Sequence, residues 1–229
     1  MELLKQIAAI PLFKGLAEDQ LCQLSTIVIE RTYRRGQTIF SEGDEGNGFY
    51  VVSSGRVKIF KLSHEGKEQI LHIFGSGEPF GEVPVFSGEH FPAHAETLEE
   101  SKILFFPRSA FIELIKKHPS LALNMLAVLS KRLRRFTALI EDLSLKEVPG
   151  RLSAYLLYLS ETKNRSANLT LDISKTQLAS LLGTIPETLS RILARMSAED
   201  LIESDGHRTI KIRDREGLEA LASGERRLA

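Results

Sequence analysis

The sequence predicts an α+β chain with an N-terminal β-barrel or jelly roll, a long dimerisation helix and a C-terminal winged helix-turn-helix. Three observations support this fold class. First, short apolar runs between recurring glycines fill residues 31–106. Second, apolar residues then recur at spacings of three and four. Third, two short helical patterns flank a glycine. We place the three parts at residues 1–118, 119–145 and 146–229.

The composition limits the function before any motif is considered. The 229 residues carry 30 Lys and Arg against 30 Asp and Glu, so any nucleic-acid face must be local. No apolar run approaches the ~20 residues of a bilayer span, and the first residues lack a secretion pattern. The single cysteine, Cys22, argues against a disulfide within the chain and against a cysteine-held iron–sulfur cluster. We therefore expect a cytoplasmic protein without membrane contact.

The N-terminal part begins with helical spacing in residues 1–30, which Pro11 and Gly15 interrupt. Between Arg31 and Phe106 the pattern changes to short strands. In one of them, Val57 and Ile59 alternate with Arg56 and Lys58, as on a strand with one buried face. Several short strands separated by glycine turns are typical of a barrel or jelly roll, which can hold a small molecule.

After Pro119 a long helix carries apolar residues at spacings of three and four. This repeat is the a/d seam of a two-stranded coiled coil, and the charged residues on both sides favour a homodimer. The alternative is a helix that packs only on its own barrel, which would give a wider apolar stripe. The predicted dimer interface consists of Leu126, Leu129, Leu133, Phe136, Ile140 and Leu143.

Residues 175–198 predict a helix-turn-helix. Leu178 and Leu182 line one side of a first helix, Gly183 suits a tight turn, and Pro186 suits the start of a second helix. The first residues of such a second helix meet base edges in the major groove of DNA. The predicted DNA contacts are Thr176, Gln177, Pro186, Glu187, Thr188, Ser190, Arg191 and Arg208.

A hairpin follows the second helix. Asp205-Gly206 is a strong hairpin signal, and a hairpin at this place forms a wing from which Arg208 and Lys211 could touch phosphates. Other interpretations stay open for the helix itself. Glu187 follows Thr184 by three residues and could complete a capping box, and Arg191 could be a solvated helix residue.

Together these features resemble the bacterial CRP/FNR superfamily of transcription regulators. The resemblance covers nearly the whole chain and rests on GQTIFSEGDEGNGFYVVSSGRVKIF, PFGEVPVF, the helix around residues 126–143 and IPETLSRIL. It implies a cyclic-nucleotide-binding-type β-roll, a dimer helix and a winged helix. It also implies a homodimer that activates or represses transcription from palindromic DNA, with RNA polymerase as a partner and a small-molecule effector in the roll.

The resemblance argues against cyclic AMP as the effector. Phe91-Pro92 stand where cyclic-AMP binders carry the pair that grips the phosphate, and Phe136 and Thr137 stand where they contact the base. Arg132 is then expected to be a surface charge and Glu82 a turn or hydrogen-bonding residue. The effector pocket implied by the resemblance consists of Phe80, Gly81, Glu82, Val83, Phe91, Pro92, Arg132, Phe136 and Thr137.

The remaining pocket is apolar, with Phe74, Val85 and Phe86 as further candidates, and suits a hydrophobic organic effector. Haem is the alternative, as in a nitric-oxide sensor of the same fold. A regulator that binds DNA without any effector is the third interpretation. The histidines of the barrel region that could hold haem iron are His64, His72, His90 and His94, with His118 and His207 as weaker candidates.

Glu187, Ser190 and Arg191 match the E-x-x-S-R spacing of the fumarate-nitrate branch of this superfamily. A glutamate can accept from cytosine and an arginine can donate twice to guanine, so we expect half-sites with a T-G-A core. The competing interpretation is a metabolite-binding β-roll protein without DNA function. No nucleophile–base pair, carboxylate pair or phosphate loop in the sequence supports an enzyme. We place a hinge at residues 142–151.

Overall fold

A computed structural model describes residues 2–162, 165–204 and 208–228. The chain divides into two compact units, Met1–Leu133 and Arg134–Ala229. The first unit contains α1 (Glu2–Ala9), a 3-10 turn (Pro11–Phe13), α2 (Glu18–Ile27), β1 (Ile29–Tyr33), β2 (Thr38–Phe40), β3 (Gly48–Ser54), β4 (Val57–Leu62), β5 (Glu68–Phe74), β6 (Pro79–Phe80), α3 (Val83–Ser87), β7 (His94–Thr97), β8 (Ser101–Pro107), α4 (Arg108–Lys117) and the first half of α5 (Ser120–Leu145).

The strands of the first unit form two antiparallel sheets with the orders β1-β8-β3-β6 and β2-β7-β4-β5. Apolar side chains from both sheets meet in one cluster. This cluster contains Tyr33, Phe40, Tyr50, Val52, Val57, Phe74, Phe80, Phe91, Ala95 and Ile103. The rings pack directly on one another, since the Phe40 and Phe91 centroids lie 3.7 Å apart. The predicted jelly roll is confirmed.

β3 explains why part of the roll lacks the expected alternation of apolar and polar residues. Tyr50 and Val52 belong to the cluster inside the roll. Phe49 and Val51, on the other face of the strand, belong to a second cluster built with α1, α2, α4 and the first turns of α5. Because both faces of β3 are buried, the strand reads as the continuous apolar run GFYVV.

Lys58 on β4 is buried, whereas the alternation of apolar and polar residues in this strand predicts that its side chain is exposed. Its side chain is buried and its ammonium group pairs with Glu68 and, at 3.2 Å, with Glu96. The same ammonium lies 4.3 Å from the centroid of the Phe60 ring. The two carboxylates and the ring offset the cost of removing this charge from water.

α5 begins directly after Pro119 and presents two different faces. Leu121 and Met125 are buried in the helix-facing cluster of the first unit. On the predicted seam, Leu126, Leu133 and Ile140 are exposed to 58%, 68% and 65%. Large apolar side chains are thus left in water along the seam of the isolated chain.

The second unit contains the rest of α5 and a smaller set of elements. They are α6 (Val148–Thr162), β9 (Asn168–Thr170), α7 (Lys175–Leu181), α8 (Pro186–Ala198), β10 (Ile202–Ser204), β11 (Thr209–Ile212) and α9 (Arg215–Ser223). α6 packs on α9, and α7 packs on α8. The strands form an antiparallel sheet with the order β10-β11-β9.

Candidate functional site

The first helix of the predicted helix-turn-helix, α7, is fixed at its start by a capping box. Ser174 Oγ accepts from the Gln177 backbone N–H at 3.2 Å, and Gln177 Oε1 accepts from the Ser174 N–H at 2.8 Å. Gln177 was predicted as a DNA contact, and the structure gives its side-chain oxygen this local role. Thr176 is exposed beside it.

The turn between α7 and α8 has the geometry that the sequence indicated. Gly183 has a φ of +67°, a conformation that residues with a Cβ rarely adopt. Ile185 is extended, with φ −107° and ψ 154°, and Pro186 is the first residue of α8. The N-cap of α8 is Ile185, and within the described residues no side chain caps this helix. The alternative interpretation of Thr184 and Glu187 as a capping box is therefore wrong.

α8 buries one face and exposes the other. Leu189, Ile192, Leu193 and Met196 are buried in the second unit. The predicted contacts Glu187, Ser190 and Arg191 are exposed together at the start of the helix. Arg191 Nη2 donates to Thr188 Oγ1 at 3.2 Å, which orients the guanidinium along this face. The helix therefore presents a carboxylate, a hydroxyl and a guanidinium on one side.

The wing is present as a strand pair. β10 and β11 pair antiparallel, with Ile202 opposite Ile212. Asp205, Gly206 and the weaker haem candidate His207 lie outside the described residues. Arg208 is exposed, and its carbonyl accepts from the Leu171 N–H at 2.7 Å, which anchors its backbone.

A cleft beside α8 adds residues that the sequence patterns do not predict. It has a volume of about 630 Å³. Its lining consists of Glu147, Val148, Pro149, Arg151, Thr188, Arg191, Ile192 and Arg195. Burial lowers the pKa of the Arg151 guanidinium from its ordinary value, and Asp142 partly offsets this effect. The sequence does indicate a position for Arg195 near the predicted DNA contacts. It follows Arg191 by four residues and so lies on the same face of the helix.

In the first unit, the structure joins two of the predicted effector residues. Glu82 is only 4% exposed, and its Oε1 accepts from Arg132 Nη1. Arg132 also donates to the Pro79 carbonyl, and its guanidinium lies 4.9 Å from the Phe74 ring centroid. The expectation that Arg132 is a surface charge is therefore wrong. Glu82 Oε2 is buried without a hydrogen-bond partner among the described residues.

The other predicted pocket residues are dispersed. Phe80 and Phe91 pack inside the roll, where Gly81, with a φ of +69°, leaves room for the Phe40 and Tyr50 rings. Val83 and Phe86 lie on the exposed side of α3, while Val85 belongs to the helix-facing cluster, and Pro92 is exposed. Phe136 and Thr137 belong to the second compact unit.

The haem candidates are separated from one another. His64 and His90 are exposed. The His72 ring lies edge-on to Phe74 at 4.4 Å, and His94 Nδ1 accepts from the Glu42 N–H at 3.2 Å. Among the described residues no three His, Cys, Asp or Glu side chains converge as metal ligands.

His118 lies at the end of α4, outside the roll. Its ring nitrogens contact the Gln20 and Gln23 side chains at 2.9 and 3.3 Å. We find no helix in the described part of the chain with the length and hydropathy of a membrane span.

The fold and the helix-turn-helix geometry can be compared with known proteins. Residues 30–118 match the cyclic nucleotide-binding domain family, and residues 150–221 match the Crp-like helix-turn-helix domain family. The Cyclic AMP receptor protein of Thermus thermophilus is 33% identical over 214 residues, which cover 93% of this chain and 97% of that protein. This chain belongs to the CRP/FNR superfamily of transcription regulators.

Two further comparisons agree with this assignment. The Fumarate and nitrate reduction regulatory protein of Salmonella typhimurium is 30% identical and covers 93% of this chain and 87% of its own length. The solved structure of FixK2 from Bradyrhizobium japonicum superposes with a TM-score of 0.75 at 25% identity, over 85% of this chain and 97% of that one. This CRP/FNR member is thus a DNA-binding transcription regulator with an effector-binding domain.

Proposed function

We propose that this regulator binds, as a homodimer, a palindromic operator with T-G-A half-sites, and that a small molecule in the β-roll controls the binding. The observation that carries the proposal is the exposed set of Glu187, Ser190 and Arg191 at the start of α8. The polar groups are collected on one face because the opposite face is buried, so they can enter a major groove together.

The chemistry of this face supports the half-site. Arg191 can donate two parallel hydrogen bonds to O6 and N7 of a guanine, and Glu187 can accept from the amino group of a cytosine. Arg208 on the wing and Thr176 on α7 are exposed and suit the phosphates beside the groove.

The exposed seam of α5 supports the dimer. Leu126, Leu133 and Ile140 lie at a/d spacing and are more than half exposed in the single chain. A second α5 would cover them, with Leu129, Phe136 and Leu143 completing the interface. Helix-turn-helix dimers bind two half-sites one helical turn of DNA apart, about 34 Å, so we expect this spacing in the operator.

The buried pair of Glu82 and Arg132 supports an effector site in the roll. Glu82 Oε2 lacks a donor among the described residues, and a ligand hydroxyl or N–H could supply one. Phe91 packs face to face on Phe40 in the stretch where cyclic-AMP binders hold the phosphate. We therefore propose an apolar organic effector with a hydrogen-bond donor rather than cyclic AMP, although the Thermus relative is named for cyclic AMP.

Selection from random duplexes tests the DNA function. The purified chain should enrich a palindrome with two T-G-A half-sites one helical turn apart. The Arg191→Ala chain should enrich sites in which the guanine has become variable. Binding without any enriched palindrome, or no binding to any duplex, would contradict the proposal and favour a β-roll protein without sequence-specific DNA function.

Thermal stabilisation and visible spectra test the effector. Anaerobic protein is titrated with haem, cyclic AMP and a set of apolar hydroxylated compounds, in parallel with a Glu82→Gln chain. We expect stabilisation by a compound of the last group that the Glu82→Gln substitution weakens. A saturable Soret shift at one haem per chain, lost on replacing His72 or His94, would instead establish a haem sensor. No response to any ligand would favour a regulator that needs no effector.

A further inference from the structure

Arg195 lies on the DNA-facing side of α8 but has no role in the function proposed so far. It follows Arg191 by one helical turn and Glu187 by two, and it is exposed. It lines the cleft that Thr188 and Arg191 also line. A cation at this distance from the helix start suits the phosphate backbone at the edge of the groove better than a base.

The segment 225–228, here called the C-terminal tail, holds this guanidinium. The Leu228 carbonyl accepts from Arg195 Nη2 at 2.9 Å. The tail is anchored through Arg226, whose Nη2 donates to Glu199 Oε2 at 2.7 Å and whose backbone N–H donates to the Ala220 carbonyl at 3.1 Å. Glu199 directly follows α8, so this ion pair keeps the tail beside the end of the helix.

Arg227, the next residue of the tail, contributes little to this anchoring. Its side chain is 86% exposed, and its Nε lies 3.9 Å from Glu147 Oε1. An exposed pair at this distance adds little stability. Arg226 and Arg227 therefore carry the same charge in the same segment, but Arg226 alone of the two has close contacts that fix the tail in the described structure.

We propose that Arg195 is a further DNA-phosphate contact and that the C-terminal tail competes with DNA for it. A phosphate oxygen is charged and accepts from a guanidinium more strongly than the neutral Leu228 carbonyl does. DNA can therefore displace the tail, but the lost contacts reduce the apparent affinity. This inference rests on the proposed DNA function and adds to it an affinity limit set by residues 225–228 of the same chain.

The test compares Arg226→Ala with Arg227→Ala in the full chain, using the selected operator duplex at several salt concentrations. Loss of a positive charge near DNA should ordinarily weaken binding. Arg227→Ala should show this small loss or no change. Arg226→Ala should instead tighten binding by about threefold, because the tail no longer holds Arg195.

Arg195→Ala supplies the second half of the test. It should weaken binding to operator and scrambled duplexes alike and lower the slope of log K against log salt by about one unit. In the chain with both Arg195→Ala and Arg226→Ala, the gain from Arg226→Ala should vanish. A chain that ends at Arg227 removes the Leu228 carbonyl but keeps Arg226, and should also bind more tightly.

Several results would overturn the inference. They are equal losses for Arg226→Ala and Arg227→Ala, an unchanged salt slope for Arg195→Ala, or a gain from Arg226→Ala that persists without Arg195. In each of these cases sequence-specific binding by the unsubstituted chain would leave the proposed function intact. Failure of the unsubstituted chain to bind any duplex would overturn both.

Discussion

At the scale of single residues, alanine substitutions of Arg191 and Arg208 should distinguish recognition of a base from contact with the DNA phosphate backbone. Arg191→Ala should cost about 1–3 kcal/mol on the operator and relax the preference at one guanine. Arg208→Ala is the matched control, because it removes the same charge from the exposed wing. It should weaken all duplexes alike and reduce the salt slope by about one unit. Competition binding against single-base variants of the operator measures both effects.

Two outcomes of that competition would contradict the assignment. An equal loss of affinity for Arg191→Ala on a scrambled duplex and on the operator would make Arg191 a phosphate contact. A sequence-selective loss for Arg208→Ala would show that the wing reads bases.

The Glu82 and Arg132 pair gives a prediction about stability. Arg132→Met leaves the Glu82 carboxylate buried without its cation and should destabilise the first unit by about 3 kcal/mol. Replacing both residues, as in Glu82→Gln with Arg132→Met, should cost much less because no buried charge remains. Urea unfolding of the single and double variants gives the coupling between them. Purely additive effects would show that the ion pair contributes nothing to the fold.

Residue pairing is also where the sequence was least informative. Arg132 and Glu82 are separated by 50 residues, and Lys58 meets Glu96 on a different strand. A local pattern shows that a residue is charged, but not whether a folded chain will bring an opposite charge to it. Arg132 and Lys58 were therefore both read as exposed. The turn at Gly183 and the helix start at Pro186 were predictable because each depends on the backbone preference of one residue and not on distant contacts.

At the scale of elements, the seam of α5 predicts how the oligomer responds to charge. Leu133→Glu places a carboxylate at an a/d position, where a dimer would bury it without a partner. The dimer dissociation constant should rise by about a hundredfold. Leu133 is 68% exposed in the single chain, so the fold of the monomer should be unaffected. Lys131→Glu, on the exposed flank of the same helix, is the matched control.

Sedimentation equilibrium of the two variants decides whether the seam is an interface. An unchanged dimer in Leu133→Glu would mean that another surface joins the chains. The periodicity of α5 made this seam predictable, since the exposed face repeats with the helix. β3 offered no such pattern, because burial of both its faces removes the alternation on which strand prediction depends.

At the scale of the whole molecule, the proposed control of operator binding by an effector requires a signal that passes along the chain from one unit to the other. α5 ends at Leu145 and α6 begins at Val148, so the connection is short. Lys146 Nζ pairs with Asp142 at 2.8 Å, and Arg151 Nη1 donates to the Leu143 carbonyl at 3.2 Å. These contacts span the junction at residues 142–151, and a change in the relation of α5 to α6 would have to alter them.

Coupling between two sites is reciprocal, so binding of the operator should alter the sensor domain. This effect can be measured without knowing the effector. We predict that the operator duplex changes amide hydrogen exchange at residues 142–151 and around Glu82. A scrambled duplex bound at low salt should protect α8 and the wing without affecting those two regions. The Arg191→Ala chain with the operator is a second control, since it should show a reduced response at the junction. Exchange that changes only in α8 and the wing would mean that the operator does not bias the junction, and control by the roll would need another route.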